Sequence, residues 1–307
     1  KVLAPHGLTN IPSSHILPHP PVGDQGVQSS STAWAIAYAG LGALGYQRYS
    51  HNWDALRRSP SFVYNSNKIN DGSGCGGGAF MSAVAIYMST AGACSWELMP
   101  YDGKQANSCG ILSSTEARAD AYRNRCDSRK LETPDLMNPD SYRMAIANGK
   151  PVAVAINISE TLQRVWYSGQ DYAVDSNPRG RGHAVCVIGY DDTRESYSPG
   201  ADDDRYKGRL IVQNSWGHQG GFPEGGKHSW MFYMSYQLLR EDLIDEAYII
   251  YDLVPEQVSI GKTPPAICSA TQVAATGIAS ATPVEWSIEG TTRITGGQKS
   301  HTVTIEP

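Results

Sequence analysis

The stretch DQGVQSSSTAWA, Asp24–Ala35, joins a polar loop to the start of an apolar helix. Any of Ser29, Ser30 and Ser31 can act as the N-cap of a helix that begins near Thr32. The residues that follow, TAWAIAYAGLGALGYQR, are small and apolar on all sides, so the helix is predicted to be central and buried. The stretch therefore places three serines at the start of a core helix.

The residue pattern along the chain then changes from helical to β-type. The segments GAFMSAVAIYMSTAG and DSYRMAIANG have helical patterns, with glycine stops at Gly92 and Gly149, and residues 114–130 read as an exposed helix or an irregular charged segment. Five β-type runs come later: KPVAVAINI, HAVCVIGYD, GRLIVQNSWG, HSWMFYMSY and EAYIIYDLV. Helices first and strands later predict an α+β fold with segregated halves.

Composition excludes several classes of function. The 307 residues are 40% hydrophobic and 18% charged with a net charge of −5, which fits a sizeable core, and no Lys/Arg-rich run supports nucleic-acid binding. No apolar stretch reaches the roughly 18 residues of a membrane span. None of the six cysteines forms a CxxC pair, so an extracytoplasmic compartment with one or two disulfides fits best, and Cys186 is expected to be a buried free thiol.

Three short motifs lack the surrounding sequence that their binding function would need, so we expect no cofactor and no metal. GSGCGG, Gly72–Gly77, has the dinucleotide-loop spacing, but no apolar strand precedes it. GGQKS lacks the glycine directly before Lys299 that a phosphate loop needs. The acidic loop GADDDRYKG lacks the EF-hand spacing and reads as a solvated insertion. His6, His15 and His19 are spaced too irregularly to suggest a metal site.

The remaining polar signals fit the needs of acyl transfer. Ser31 lies at a helix N-terminus, which favours an anion, and Gln25 lies one short loop upstream, where its amide can donate to a developing oxyanion. His183 begins a strand and can serve as base and then acid. Asn214 ends another strand and can orient the imidazole, while Trp216 can shield that bond from water. Each residue also has a structural interpretation: helix cap, surface amide, core histidine and turn residue.

In its ordered blocks the chain resembles the papain-like cysteine peptidases, in their bacterial branch. The blocks are PVGDQG, SSSTAWA, GCGGGAF, MPYDG, GHAVCVIGYDD and IVQNSWG, and the resemblance covers about Pro20 to Asp252. It implies a two-lobed α+β fold within a domain of residues 1–254, with a helical lobe at about 26–132 and a β-rich, barrel-like lobe at about 133–254 plus an N-terminal arm. It also implies a peptide or protein substrate and a secreted or cell-surface bacterial location.

The resemblance assigns roles residue by residue. Gln25 would be the oxyanion donor, His183 the general base, Asn214 the orienting residue and Trp216 its shield. Gly77 and Gly78 would pair with the substrate backbone. The main specificity pocket, which the small residues predict to be roomy and apolar, would be lined by Ala79, Phe80, Ala155 and Ala184.

The chain departs from the family at its disulfides. The cysteine that precedes the nucleophile in many members is Gln28 here, so the usual partner of Cys75 is missing. Cys109 matches another family disulfide position, whose partner position is also not cysteine. The resemblance leaves Cys109–Cys126 as the expected pair.

The nucleophile position is the other departure, because the family has cysteine where this chain has Ser31. Three hypotheses follow. The favoured one is an engineered Cys→Ser variant of an active thiol peptidase, because Gln25, His183 and Asn214 are all retained. The second is a natural pseudopeptidase that binds peptides or partners, and the third, least favoured, is a serine-nucleophile peptidase.

Residues 255–307 differ from the preceding segments in composition and residue pattern. They are rich in Thr, Ser and Ala with short alternating runs such as VEWSI and HTVTI, which predict a small β-sandwich-like module. It resembles the immunoglobulin-like or PKD-like modules appended to bacterial secreted proteins, where a surface or protein partner is expected. Its shortness suggests truncation at Pro307, and the abrupt start KVLAPHG suggests a mature or trimmed N-terminus.

Overall fold

The structure is a computed structural model in which the chain divides into two compact units, Lys1–Leu253 and Val254–Pro307. The described residues are 11–49, 56–105, 108–168, 181–193, 208–218, 220, 231–240, 243–253, 259–260, 271–276, 293–296 and 302–306.

Helices dominate the first half of the larger unit. The first helix, α1, begins as α-helical Ser31–Ala33, continues as π-helical Trp34–Leu41 and ends as α-helical Gly42–Tyr49. The other helices are α2 (Pro60–Asn67), α3 (Met81–Thr90), α4 (Thr115–Arg123), α5 (Pro139–Ala147), α6 (Glu160–Ser168) and α7 (Tyr236–Arg240).

An antiparallel sheet dominates the second half. Its strands are β1 (Ser14–Ile16), β2 (Cys126–Lys130), β3 (Val152–Ile158), β4 (Arg181–Asp191), β5 (Arg209–Gln213), β6 (Met231–Ser235) and β7 (Ile244–Leu253). The order is β2-β7-β3-β4-β5-β6, and β1 pairs with β4. A helical lobe and a sheet lobe confirm the predicted two-lobed α+β fold.

Helix α1 is buried throughout its first three turns, as its small side chains predict. Every residue from Ser31 to Ala43 is buried. Gly40 allows the helix to lie directly on β7, since a Cβ there would come 2.1 Å from Ile250 Cδ1. The predicted cap is wrong in detail: Ser30 is the N-cap residue, but its side chain makes no capping hydrogen bond and contacts the Tyr101 hydroxyl instead.

Two hydrophobic cores hold the lobes. One lies within the sheet lobe and includes Val154, Trp166 and Phe232. The other joins α1, α2 and α3 to one face of the sheet, where Ala153 and Ala184 contribute small side chains. Because helices pack on that face, strands from one lobe and a helix N-terminus from the other meet along a common seam.

The segment 114–130 fits its prediction of an exposed helix only in its first part. It forms helix α4, capped by the Ser114 side chain on Ala117 N, and then the edge strand β2, which pairs with β7 from Cys126 to Lys130. The strand sequence CDSRK has little β propensity, so the pairing comes from the neighbouring β7 rather than from local preference.

The cysteine pairing also differs from its prediction. The disulfide joins Cys75 to Cys109, whereas Cys126 is a free, fully buried thiol on β2, so the expected Cys109–Cys126 pair is wrong. Cys94 and Cys186 are free and buried as well. Burial raises the pKa of the Cys94 and Cys126 thiols to about 12, and it raises that of Cys186 further.

The described part of the smaller unit is an antiparallel sheet. Its strands are β8 (Ser259–Ile260), β9 (Thr271–Thr276), β10 (Arg293–Gly296) and β11 (Thr302–Glu306), in the order β10-β11-β9-β8. The run HTVTI falls largely on β11, whereas VEWSI, Cys268, His6 and the acidic loop lie outside the described residues. Among the described helices, none is long and apolar enough to cross a bilayer.

Candidate active site

The seam between the lobes brings Ser31 next to His183. Ser31 is the first residue of α1 and is 8% exposed, and His183 lies on β4 and is 5% exposed. The Ser31 hydroxyl oxygen accepts a hydrogen bond from the Ala184 backbone N–H at 3.2 Å. Within the described residues, Ser31 Oγ thus contacts the backbone beside the imidazole, and no hydrogen bond joins it to the ring.

The His183 ring is held on its far side by Asn214. His183 lies on β4 and Asn214 directly follows the neighbouring strand β5, and His183 Nε2 lies 2.8 Å from Asn214 Oδ1. The same oxygen accepts the Ser215 backbone N–H at 2.8 Å, which fixes the orientation of the amide. Because Oδ1 can only accept, Nε2 carries the proton, and Nδ1 of the neutral ring is left as the basic nitrogen.

Trp216 covers this hydrogen bond. Its ring stacks on His183 with 4.7 Å between centroids and 27° between planes. Trp166 of α6 packs edge-on against Trp216 at 5.6 Å and so supports it from behind. The His183–Asn214 pair is therefore shielded by two indoles, as the shielding role assigned to Trp216 requires.

Burial also sets the protonation of His183. It lowers the pKa of the imidazole to about 4, and the hydrogen bond to Asn214 opposes this only in part. At neutral pH the ring of the Ser31 chain is therefore uncharged. Among the described residues that contact the ring, none carries a negative charge, and its hydrogen-bond partner Asn214 is a neutral amide.

Gln25 stands at the other end of the loop that leads into α1. Its backbone N–H donates to Ser215 O at 2.8 Å, and its side-chain Oε1 accepts the Ser215 hydroxyl at 2.8 Å. The side-chain Nε2 donates to Gln28 O at 2.8 Å. The amide oxygen is thus fixed from the sheet lobe, and the amide nitrogen faces the loop that ends at Ser31.

The glycine segment predicted to bind substrate lies beside the start of α1. The Thr32 hydroxyl donates to Ala79 O at 2.9 Å, and Ser29 N donates to Cys75 O at 2.9 Å. Gly78 has a φ of +74°, and a Cβ built there would make only van der Waals contact with Ser29 O, at 3.9 Å. The segment can therefore present backbone groups to an extended peptide without a side chain in the way.

The predicted pocket residues come together only in part. Ala155 and Ala184 are direct cross-strand partners on β3 and β4, and Ala79 is partly buried against the same core. Phe80, in contrast, is 65% exposed. Opposite Ala155 on its other side is Glu246 of β7, a residue that sequence reasoning missed.

A pocket of about 440 Å³ opens beside Trp216. Its lining combines loop and α6 residues: Asp24, Gly26, Gln163, Trp166, Tyr167 and Trp216. The part contributed by α6 was not predicted from sequence, because the helix lies far from the motifs in the chain. The apolar periodicity of ETLQRVWYS was the available signal for a helix packed on the sheet.

Comparison with known proteins agrees with this geometry. The family description "Papain family cysteine protease" matches residues 20–227. The chain belongs to the papain family of cysteine proteases. It is 26% identical over 201 residues to cathepsin K of Mus musculus, covering 66% of this chain and 53% of that protein. It is also 26% identical over 201 residues to procathepsin L of Rattus norvegicus, with 66% and 54% covered. The chain spans about half the length of these curated relatives.

Solved structures share the fold. Xylellain, a cysteine protease from Xylella fastidiosa, matches with a TM-score of 0.61 and 20% identity over 80% of this chain and 87% of that one. The cysteine protease and lectin-like domains of Cwp84, a surface layer associated protein of Clostridium difficile, match with a TM-score of 0.55 and 15% identity over 86% and 54%.

Proposed function

We propose that the larger unit is a peptidase that cleaves peptide bonds when residue 31 is cysteine, and that the Ser31 chain binds substrate but turns it over very slowly. The observation that carries the proposal is the His183–Asn214 bond of 2.8 Å, covered by Trp216 and adjacent to the residue at the N-terminus of α1. This arrangement supplies a base, an orienting group and a nucleophile position within one buried site.

The proposed reaction begins with an ion pair. A thiol at residue 31 transfers its proton to His183 Nδ1, and the thiolate so formed stabilises the imidazolium and raises the pKa of the ring above its present value of about 4. The helix N-terminus favours the thiolate further.

Acyl transfer then follows. The thiolate adds to the peptide carbonyl carbon, and the negative oxygen is stabilised by the Gln25 amide and the residue 31 N–H. His183 gives its proton to the leaving amine, and the C–N bond breaks. In the second half, His183 takes a proton from water, the hydroxide adds to the acyl-enzyme, and the thiolate leaves.

In the Ser31 chain the first step is blocked by two features. A serine hydroxyl has a far higher pKa than the thiol's roughly 8.5, so His183 gains little from taking its proton. The Ser31 oxygen also accepts from Ala184 N–H instead of donating to the ring. Both features favour an inactive variant, whether engineered or natural, over a serine-nucleophile peptidase.

We propose peptides or proteins as substrates and an extracytoplasmic, bacterial location. The Cys75–Cys109 disulfide supports an oxidising compartment. Cwp84, one of the structural neighbours, is described as surface layer associated. For residues 255–307 we propose an immunoglobulin- or PKD-like module with a surface or protein partner, which the antiparallel sheet of the smaller unit supports.

The decisive experiment restores the thiol. Ser31→Cys should hydrolyse members of a peptide library, and a thiol-alkylating reagent should abolish the activity. Ser29→Cys is the matched control, because it places a thiol two residues away, off the helix N-terminus, and should be inactive.

Three results would change the proposal. A folded Ser31→Cys chain that cleaves no peptide contradicts the peptidase function, and tight peptide binding without turnover would then favour a pseudopeptidase. A burst of product from the unaltered Ser31 chain would establish a serine nucleophile.

A further inference from the structure

One segment of the helical lobe contacts nearly the whole loop between Gln25 and Ser30. The segment consists of residues 101–105 and 108–109, here called the strap. Val27 N donates to Gly103 O at 2.9 Å, and the Gln28 side-chain amide donates to Asp102 O at 2.8 Å. The loop before the nucleophile position is therefore held by the strap in addition to its internal hydrogen bond from Gln25 Nε2 to Gln28 O.

Within the strap, the Tyr101 hydroxyl makes the contacts closest to the chemistry. It donates to Gln25 O at 2.7 Å and lies 2.5 Å from Ser30 Oγ. A phenol has one proton, and the Gln25 carbonyl can only accept, so the Ser30 hydroxyl donates to Tyr101 Oη. One oxygen atom thus joins the residue that carries the proposed oxyanion amide to the residue directly before position 31.

The rest of the Tyr101 side chain is fixed by packing. Its ring lies edge-on to Trp34 of α1, with 5.0 Å between the ring centroids, and is tilted against Trp96, with 6.4 Å between the centroids. Burial raises the pKa of the hydroxyl to about 12, so the hydroxyl remains a neutral donor across the working pH range. The ring and hydroxyl therefore act as a rigid spacer between the loop and α1.

The far end of the strap reaches the glycine segment. Cys109 is joined to Cys75, and Cys75 O accepts the N–H of Ser29 at 2.9 Å. Gln28, which stands where many family members have a cysteine, bonds the strap through Asp102 O and Ser108 Oγ. The hydrogen bonds of Gln28 and the Cys75–Cys109 disulfide therefore attach both the Gln25–Ser30 loop and the glycine segment to the same strap.

We propose that Tyr101 is a positioning residue for the oxyanion hole. By holding Gln25 O and Ser30 Oγ at once, it keeps the Gln25 amide and the residue 31 N–H aimed at the same point. The inference rests on the proposed peptidase function. Its consequence is that loss of the Tyr101 hydroxyl lowers the rate of the chemical step more than it weakens substrate binding, since the hydroxyl faces the loop and not the cleft.

Hydrogen exchange on the Ser31 chain tests the positioning claim without any activity. Tyr101→Phe keeps the ring packing and removes the hydroxyl. We expect exchange of the amides of residues 27–31 to rise by at least about 10-fold, because the change removes the hydrogen bonds with Gln25 O and Ser30 Oγ and the loss of one buried hydrogen bond is worth about that factor. Tyr142→Phe is the matched control, because it removes a hydroxyl that donates to Leu136 O at 2.8 Å in the sheet lobe, and it should leave these amides unchanged.

Kinetics in the Ser31→Cys background tests the link to catalysis. Loss of an oxyanion donor costs about 10²–10³ in kcat, so a residue that only aligns such donors should cost about 10-fold, with KM within about twofold. Tyr142→Phe should leave both constants unchanged. Ser30→Ala should lower kcat by a smaller factor, because the Tyr101–Gln25 bond survives, and the double variant should be no worse than Tyr101→Phe, because the contact that Ser30→Ala removes is already lost in Tyr101→Phe.

The outcomes separate the two proposals. An inactive Ser31→Cys parent contradicts the peptidase function, and the exchange experiment still decides whether Tyr101 positions the loop. If the parent is active and Tyr101→Phe matches it in kcat, or if exchange at residues 27–31 does not change, the positioning role is overturned. A rise in KM with constant kcat overturns it as well, because it would place the hydroxyl in substrate binding.

Discussion

At residue 31, serine and cysteine differ by one heavy atom, but that atom decides whether the buried imidazole can become charged. His183 is neutral in this chain because it is buried and has only an amide as its partner. A thiolate beside it would supply the missing negative charge. Under the proposed function, cysteine at residue 31 would supply the anionic half of an ion pair with His183.

His183 and its partner Asn214 should differ in how much each contributes to the rate of catalysis. In the Ser31→Cys background, His183→Ala removes both the base and the acid and should lower kcat by about 10³-fold or more. Asn214→Ala removes only the orienting acceptor and should cost about 10- to 100-fold, since Trp216 still packs on the ring. Steady-state rates with one peptide substrate make the comparison, and equal losses would count against the orienting role.

Burial of His183 also predicts a pH dependence of stability. Its pKa is about 4 in the folded chain and near 6.5 when unfolded, so the unfolded state binds the proton first as the pH falls. Stability should therefore decrease from pH 6.5 down to pH 4 and level off below, by on the order of 3 kcal/mol for this residue.

Urea unfolding at pH 7, 6, 5 and 4 measures this effect. His183→Gln should lose less stability over that range than the unaltered chain. Burial also lowers the pKa of His19, but His19 is present in both chains and cancels in the comparison. Parallel curves for His183→Gln and the unaltered chain would contradict the assignment.

At the scale of elements, turns fix how α3 and α4 meet. Gly92 follows α3 with a φ of +79°, and a Cβ there would come 2.0 Å from Ala121 O in α4. Gly92→Ala should therefore destabilise the chain by about 3 kcal/mol, from left-handed strain together with displacement of a backbone carbonyl. Gly110→Ala, with nothing within 4 Å of its Cβ, should change stability by less than about 0.5 kcal/mol. Thermal and urea unfolding provide the two values.

Elements with strong local signals were predictable, and those that depend on distant partners were not. The buried helix α1 and the strands carrying His183 and Asn214 follow from apolar runs and ordered motifs. Strand β2 was missed because CDSRK becomes a strand only through its pairing with β7. The role of Ser30 as a partner of Tyr101 was missed for the same reason, since 71 residues separate the two.

At the scale of the whole molecule, the Cys75–Cys109 disulfide closes a loop of 34 residues within the larger unit. A loop of that length restricts the unfolded chain by about 3–4 kcal/mol in the chain-entropy description. The Cys75→Ser, Cys109→Ser double variant should lose about that much unfolding free energy. Dithiothreitol should destabilise the unaltered chain in the same way and leave the double variant unchanged, and a response of the double variant would place the effect elsewhere.

The free thiols of the larger unit make a cysteine introduced at residue 31 countable. Only thiolates react quickly with alkylating reagents, and Cys94, Cys126 and Cys186 are buried with pKa values raised to about 12 or above. Under native conditions, intact-mass measurement should therefore find one more adduct on Ser31→Cys than on the unaltered chain. Cys268, which lies outside the described residues, is common to both and cancels. The mass difference would count the reactive thiols at residue 31. It would therefore give the active fraction of any preparation without a substrate.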